Sequence, residues 1–344
     1  MSGLALTRSP KALAAAAVAA VLGILVFAAL GVGGGSGGAA HSFAAPRKLT
    51  PLQAYSEQSA IRAGAAGVDG ARPAPDLVPL PASAFNRPFA VSRSYDARQL
   101  AVLVPELATL RAALKRDDRA AAEAAWQTAW ARYLRLGGVY GEFGALDQQI
   151  DGTPGVLPGG THDPSFSGFH RLEMGLWTGA PLASLLGWEA RLSVDVYRLR
   201  RFVGHVPLDP LDYSARAHEI LEDAQRDLLS GTDVPWSGAG VVGTAAGLDA
   251  TEEVLGTLRG LLDGREDAIE VVDTWLVRLR ATLDSIRRAH GGVWPANARL
   301  TQLQAEQLDG TLGGALEALE AIPGALETTL PPPIPPLPAP RPST

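Results

Sequence analysis

The sequence predicts an all-α bundle. Three observations carry that expectation: Ala, Leu and Gly dominate the composition, strand-like alternation is scarce, and at least four long segments repeat apolar residues at helical spacing. Apolar residues make up 47% of the chain, enough to bury a substantial core, while charged residues are only 19%. Long amphipathic helices joined by short connections form a bundle.

Taken in order, the chain begins with Arg8 and Lys11 ahead of an uncharged run from Ala12 to Leu30. As a helix that run spans roughly 28 Å, close to the thickness of a bilayer core. The basic flank precedes it, which directs the rest of the chain outward. Small residues through Ala44 and Ala45 can supply a cleavage site, so residues 1–31 are expected to be a signal peptide or a membrane anchor. Residues 32–92 are Gly-, Ala- and Pro-rich without a sustained period and read as a mostly flexible tether with room for one short helix. Residues 93–330 form the helical domain. The end, 331–344, is a Pro-rich tail of polyproline II type that reads as a spacer, with a partner-binding ligand as the alternative.

Within the helical domain, Asp117 and Asp118 can cap a helix through "AAAEAAWQTAWARYLRL", with Trp126, Trp130, Tyr133 and Leu134 on one side. Gly137 and Gly138 interrupt it. Further helices are expected in "PLASLLGWEARLSVDVYRLRRFV", "LDYSARAHEILEDAQRDLL" and "AIEVVDTWLVRLRATLDSIRRA", and from about Asn297 to Ala321. "GAGVVGTAAGLDA" reads as a Gly-rich bend entering a helix.

Composition narrows the chemistry. A net charge of −6 leaves no electrostatic footprint for nucleic acid. The absence of cysteine excludes disulfides, thiolate metal sites, a cysteine nucleophile and a lipid-modified cysteine. Any metal must be held by His, Asp, Glu, backbone oxygen or water. No phosphate loop, nucleophile elbow or dinucleotide fingerprint is present.

The segment "FSGFHRLEMGLW" (166–177) sets His170 and Glu173 three residues apart in an apolar, aromatic-rich stretch. Asp163 and Pro164 suit the N-cap and first position of its helix. At about 100° per residue, Phe166, Phe169, Leu172, Leu176 and Trp177 share one broad face. Glu173 lies in its middle, His170 at its edge, and Arg171 points away. A carboxylate buried without a partner is strongly destabilising, so Glu173 requires a cleft, a partner or a metal. Spacing leaves two explanations open: metal ligation from one helical face, or a buried Glu–His or Glu–Arg structural bond.

Upstream, in "YGEFGALDQQID", Asp147 and Asp151 are one turn apart, flanked by Tyr140 and Phe143. Asp151 before Gly152 can instead close a helix end, although the helix dipole disfavours an acid there. If the loop after it folds back on the next helix, Asp147, Asp151, His170 and Glu173 converge in a set suited to a hard or borderline cation. His218 and Glu222 in "HEILE" read as a solvated helix face, without the second histidine of a zinc-protease motif.

With its flanks, this region resembles the imelysin-like domain of EfeO-type iron-uptake proteins. The resemblance is carried by Gly168, His170 and Glu173 of a Gly-x-His-x-x-Glu motif, by Phe166, Phe169, Arg171, Leu172 and Trp177 around it, and by Phe143, Leu146, Asp147, Ile150 and Asp151 upstream. It is clear from about Trp126 to Trp188, and order and spacing agree to about Ala321. It implies an all-helical domain of two packed four-helix-type halves outside the cytoplasmic membrane. It also implies bound iron, ferric or ferrous, with zinc or another divalent metal as the alternative. His170, Glu173, Asp151 and Asp147 are the implied ligands, and Phe169 and Trp177 the walls that shield them. A membrane iron permease and a haem-dependent peroxidase are the implied partners. The family has also been classed with metallopeptidases, but a His-x-x-Glu pair without a clear third ligand and base is thin support for hydrolysis, and a non-enzymatic role is expected.

Departures from the family accompany these matches. Leu134 and Gly137 stand where such domains carry carboxylates one turn apart, and "VPWSGAGVVGTAAGLD" replaces a His- and Asp-rich stretch. A cupredoxin-like N-terminal domain, present in some members, is expected to be absent.

Overall fold

The computed structural model describes residues 77–265 and 269–328. The expected signal or anchor segment, most of the tether and the Pro-rich tail lie outside these residues. Those described belong to one compact unit, Ala74–Thr344.

The unit is all-α, and its helices are α1 (Asn86–Lys115), α2 (Arg119–Leu134), α3 (Ala145–Asp151), α4 (Gly168–Trp177) and α5 (Leu182–Phe202). They are followed by α6 (Pro210–Asp223), α7 (Gly240–Leu262), α8 (Ile269–Ala289), α9 (Gln302–Leu319) and the short α10 (Ile322–Ala325). An isolated parallel bridge, Leu80 to Thr328, ties the two ends of the unit together. Among the described residues, no helix is long and apolar enough to cross a membrane.

Local chemistry sets several helix boundaries. Asp118 caps α2 by accepting from Ala121 N at 3.1 Å, and Asp117 takes the left-handed turn between α1 and α2 at φ +56°. Asp209 and Pro210 start α6, and Thr301 with Gln304 forms a capping box on α9.

Three boundaries differ from the sequence expectation. Residues 82–92, the end of a stretch read as a tether with one short helix, are helical and run straight into the bundle, because Phe85 and Phe89 are buried and Phe89 meets Tyr213 edge-on at 5.4 Å. The last long helix begins at Gln302, not Asn297. There the chain is pinned by Asn297 Nδ2 donating to Leu228 O at 2.7 Å and Asn297 N donating to Gly238 O at 2.8 Å. The third difference, at the start of α4, bears on the site and is described with it.

Buried apolar side chains fall into two clusters. The first joins α1, α2, α4 and α5 through residues such as Leu103, Trp126, Phe169 and Leu192. The second joins α6, α7, α8 and α9 through Tyr213, Leu258, Leu279 and Leu312. α7 contributes to both: Val242 and Ala246 face the first, Val241 and Val254 the second. As expected, a bend at Gly238, with φ +61°, enters α7; the later glycines sit inside the helix, and residues 240–248 are all buried, as suits a helix apolar on every side.

One buried acid in this scaffold stands apart from the site. Asp96 is 1% exposed, and its Oδ2 accepts from Ser92 Oγ at a long 3.4 Å. Burial, and then Glu253, push its carboxyl well above the usual carboxylate range, against Ser92 and Arg98. A carboxyl whose folded pKa is raised favours the folded state below its unfolded pKa, and that advantage is lost as pH rises toward the folded value. Asp96→Asn is therefore expected to be more stable than the wild type at pH 7, with the difference shrinking at pH 4. Urea midpoints at the two pH values measure it; a variant less stable at both would contradict the assignment.

Candidate metal-binding site

The site begins with a close approach that only glycine permits. At Gly168 φ is +77°, and a Cβ there would collide with the carbonyl group of Ile150. The first residue of α4 thus lies directly on the last turn of α3, and Ser167 Oγ donates to Gln149 O at 3.0 Å across the same junction. Asp163, expected to cap α4, instead accepts from Ser165 N at 2.8 Å and Gly159 N at 3.1 Å within its own loop. The helix starts five residues later, at Gly168, where the chain meets α3, with no side-chain cap.

This junction faces Asp151, at the end of α3, toward His170, on the first turn of α4. His170 is 2% exposed and Glu173 is fully buried. His170 Nδ1 donates to Glu173 Oε2 at 2.9 Å, and Nε2 stands 3.4 Å from Asp151 Oδ1. The buried Glu–His bond left open by the spacing is therefore present. Glu173 Oε1 is also in use, accepting from Ser237 N at 2.8 Å, Ser237 Oγ at 2.7 Å and Trp236 N at 3.3 Å. A buried carboxylate with four donors is well satisfied without a metal. Arg171 lies over Trp188, 4.9 Å from its ring centre, consistent with its pointing away from Glu173.

Asp151 also accepts from Trp130 Nε1 at 3.0 Å, and the Trp130 ring meets His170 edge-on at 6.1 Å. Phe169 and Trp177, expected as walls, pack on Trp126 at 6.4 and 5.2 Å, and Trp126 stacks on Trp130. They thus support the indole nearest His170 from one layer behind. Asp147 takes Phe143 N at 3.2 Å and the phenol of Tyr133. A cleft of about 280 Å³ is lined by Tyr133, Tyr140, Gly141, Asp147, Gln148, Asp151 and Gly152.

Electrostatics set the protonation of this group. Burial pushes the Asp151 carboxyl up to about 7, opposed by His170. Burial also pushes Asp147 up to about 6, opposed by the Phe143 and Tyr133 hydrogen bonds. For His170, burial acts downward, but Asp151, Glu173 and Asp233 together outweigh it and raise the pKa. Asp233, half-buried and acting on His170, is raised as well, first by its partial burial.

Two donors therefore converge, His170 Nε2 and Asp151, with Asp147 in the same cleft wall as Asp151. Among the described residues, no group of three or more His, Asp or Glu side chains is arranged to hold a metal ion. The two positions where the family resemblance leads one to look for carboxylates are closed. Leu134 is buried, and a Cβ on Gly137 would lie 2.9 Å from Ile220 Cδ1 and 3.1 Å from the Ala250 methyl. Trp130, Ser237 and Asp233 were not among the residues singled out for the site; only Trp130, on the apolar side of α2, had a visible helical register.

An all-helical unit with a Gly-x-His-x-x-Glu helix start, its His and Glu bonded to each other, defines the class. The imelysin family model (peptidase M75) matches residues 95–333, and the chain belongs to that family. Among its curated relatives is the iron uptake system component EfeO of Yersinia pseudotuberculosis serotype I (strain IP32953), 23% identical over 246 residues, which cover 71% of this chain and 65% of that protein. The iron uptake system component EfeO of Escherichia coli (strain K12) is 22% identical over 235 residues, covering 68% and 62% respectively. The chain thus spans a little under two thirds of the length of these relatives.

Proposed function

We propose that this protein takes part in iron uptake by capturing an iron cation as cargo at the α3–α4 junction, with Asp151 and His170 Nε2 as donors and Asp147 beside them. One observation carries it: Glu173 occupies the Nδ1 side of His170, which leaves Nε2 directed at Asp151. A carboxylate on the far nitrogen is the usual support for a metal-binding imidazole, since it sets both ring orientation and tautomer. Glu173 then orients His170, while Phe169 and Trp177 brace the Trp126–Trp130 pair that shields it. The EfeO relatives support iron as the cargo; zinc or another divalent metal is the alternative for a His–Asp pair.

In this reading the protein acts outside the cytoplasmic membrane, anchored or exported by residues 1–31, as a bundle of two packed four-helix-type halves. It passes its cargo to a membrane iron permease beside a haem-dependent peroxidase, and it carries the metal rather than catalysing a reaction.

Calorimetric titration with Fe(III) citrate tests the site. His170→Ala and Asp151→Ala are each expected to weaken binding by about 100-fold. Binding is also expected to weaken as pH falls from about 8 to about 5, because protons compete for the raised carboxyls of Asp151 and Asp147 and for Nε2. A double variant that binds as tightly as the wild type at pH 7 would remove the proposal.

The closed Leu134 and Gly137 positions favour a second reading, a cell-envelope interaction protein that keeps the fold without metal transfer. In that case, alanine at His170 and Glu173 changes thermal stability but leaves growth under iron starvation unaltered. Peptidase activity, which the family description leaves open, is assayed by chelator-sensitive proteolysis.

A further inference from the structure

Tyr140 buries a polar atom that nothing satisfies. Its hydroxyl oxygen is shielded from solvent and makes no hydrogen bond, although the residue lines the cleft that holds Asp147 and Asp151. Leaving a buried hydroxyl unpaired is destabilising by about 1–3 kcal/mol, and such an orphan in a native site calls for a ligand or a function. The oxygen is far from isolated in charge terms, since Asp151, Tyr133, Asp147 and Asp223 all act on it. Tyr133 stacks against it, with ring centres 6.1 Å apart and planes at 29°, and places its own phenol on Asp147.

The two tyrosines stand beside the closed family positions: Tyr133 precedes Leu134, and Tyr140 follows Gly137 by three residues. Two phenols and two carboxylates line one cleft, with the His170 imidazole behind Asp151, and together make an oxygen-rich, hard set of donors. Phenolate oxygen is a strong ligand for ferric iron, as tyrosine ligation of haem iron illustrates, and discriminates against softer divalent ions.

We propose that Tyr140, with Tyr133 beside it, supplies phenolate oxygen to a ferric ion held at Asp151 and His170, and so makes the cleft selective for iron(III). This rests on the cleft being the cargo site. No redox step is involved: iron enters as Fe(III), an Fe–O bond replaces the phenol O–H bond, and the proton leaves to solvent. With no cation present, burial and the neighbouring carboxylates keep both phenols protonated. A trivalent ion reverses the sign of that local field.

The test is titration of the full chain with Fe(III) citrate, followed by visible absorption and resonance Raman spectroscopy. The wild type is expected to develop a phenolate-to-iron charge-transfer band with phenolate ring modes. Tyr140→Phe should lose most of that band and about tenfold of its preference for Fe(III) over Zn(II). Its melting midpoint should match or exceed the wild type, because only an unpaired hydroxyl is removed. Wild-type protein that binds Fe(III) without the band overturns the tyrosine proposal and leaves Asp151 and His170 as the site. A band undiminished in Tyr140→Phe excludes Tyr140. Failure of the wild type to bind Fe(III) at all overturns both this proposal and the one it rests on.

Discussion

Replacing Glu173 by alanine is expected to lower stability by about 3–5 kcal/mol, the range seen when one partner of a buried, hydrogen-bonded charge pair is removed. The side chain has no exposure, and four donors lose their acceptor at once: His170 Nδ1, Ser237 N, Ser237 Oγ and Trp236 N. For a domain of this size the melting midpoint should drop by on the order of 10 °C. Glu173→Gln separates stability from orientation. Its amide oxygen can still accept from Ser237 and Trp236, but its NH₂ then faces His170 Nδ1 and requires that nitrogen to accept. The ring proton moves to Nε2, and iron binding is lost while most of the stability remains. Nitrogen-15 shifts of the His170 ring report the tautomer directly. An alanine variant within about 1 kcal/mol of the wild type would mean that the Glu173 network carries little of the fold.

Gly168→Ala should produce the second large effect, and by a different route. The substitution combines a left-handed backbone, at φ +77°, with a collision against the Ile150 carbonyl. Together these are expected to destabilise by roughly 3 kcal/mol or more. The variant alters no donor, yet it should weaken iron binding, because separating α4 from α3 lengthens the 3.4 Å approach of His170 Nε2 to Asp151. Gly179→Ala provides the control. Its φ is +81°, but nothing lies within 4 Å of the added methyl, so only about 1–2 kcal/mol of backbone strain is expected, with unchanged affinity. Equal losses of affinity in the two variants would show that the α3–α4 contact does not position the donors.

Much of the fold was legible because it depends on short-range periodicity. The α2 stretch with Trp126, Trp130 and Tyr133 on one side, its cap at Asp118, and Glu173 at the centre of an apolar face all follow from spacing and side-chain type. The misread boundaries share one cause. Phe85 and Phe89 made residues 82–92 helical by packing on Tyr213, and Asn297 cut the last helix short by bonding Leu228, 69 residues away. Composition and period carry no record of such partners.

The same division runs through the site. His170, Glu173, Asp147 and Asp151 could be singled out from two local patterns. That Glu173 is saturated by Ser237 and Trp236 could not, since those donors lie 63 and 64 residues further along in a stretch with no signature of its own. The orphan hydroxyl of Tyr140 was equally invisible, because lacking a partner is a property of surroundings.

By itself, then, the sequence determined an all-helical unit and the motif residues at its centre, since periodicity, capping and spacing act within a few turns of chain; the family came from the likeness of the motif and its flanks. Only the tertiary structure decided what each motif residue touches. It bonded Glu173 to His170 Nδ1, set Nε2 near Asp151, closed the space at Gly137, and placed Tyr140 in the cleft wall. Hydrogen-bond satisfaction and steric room depend on groups far apart in the chain, and those exist only once the helices have packed.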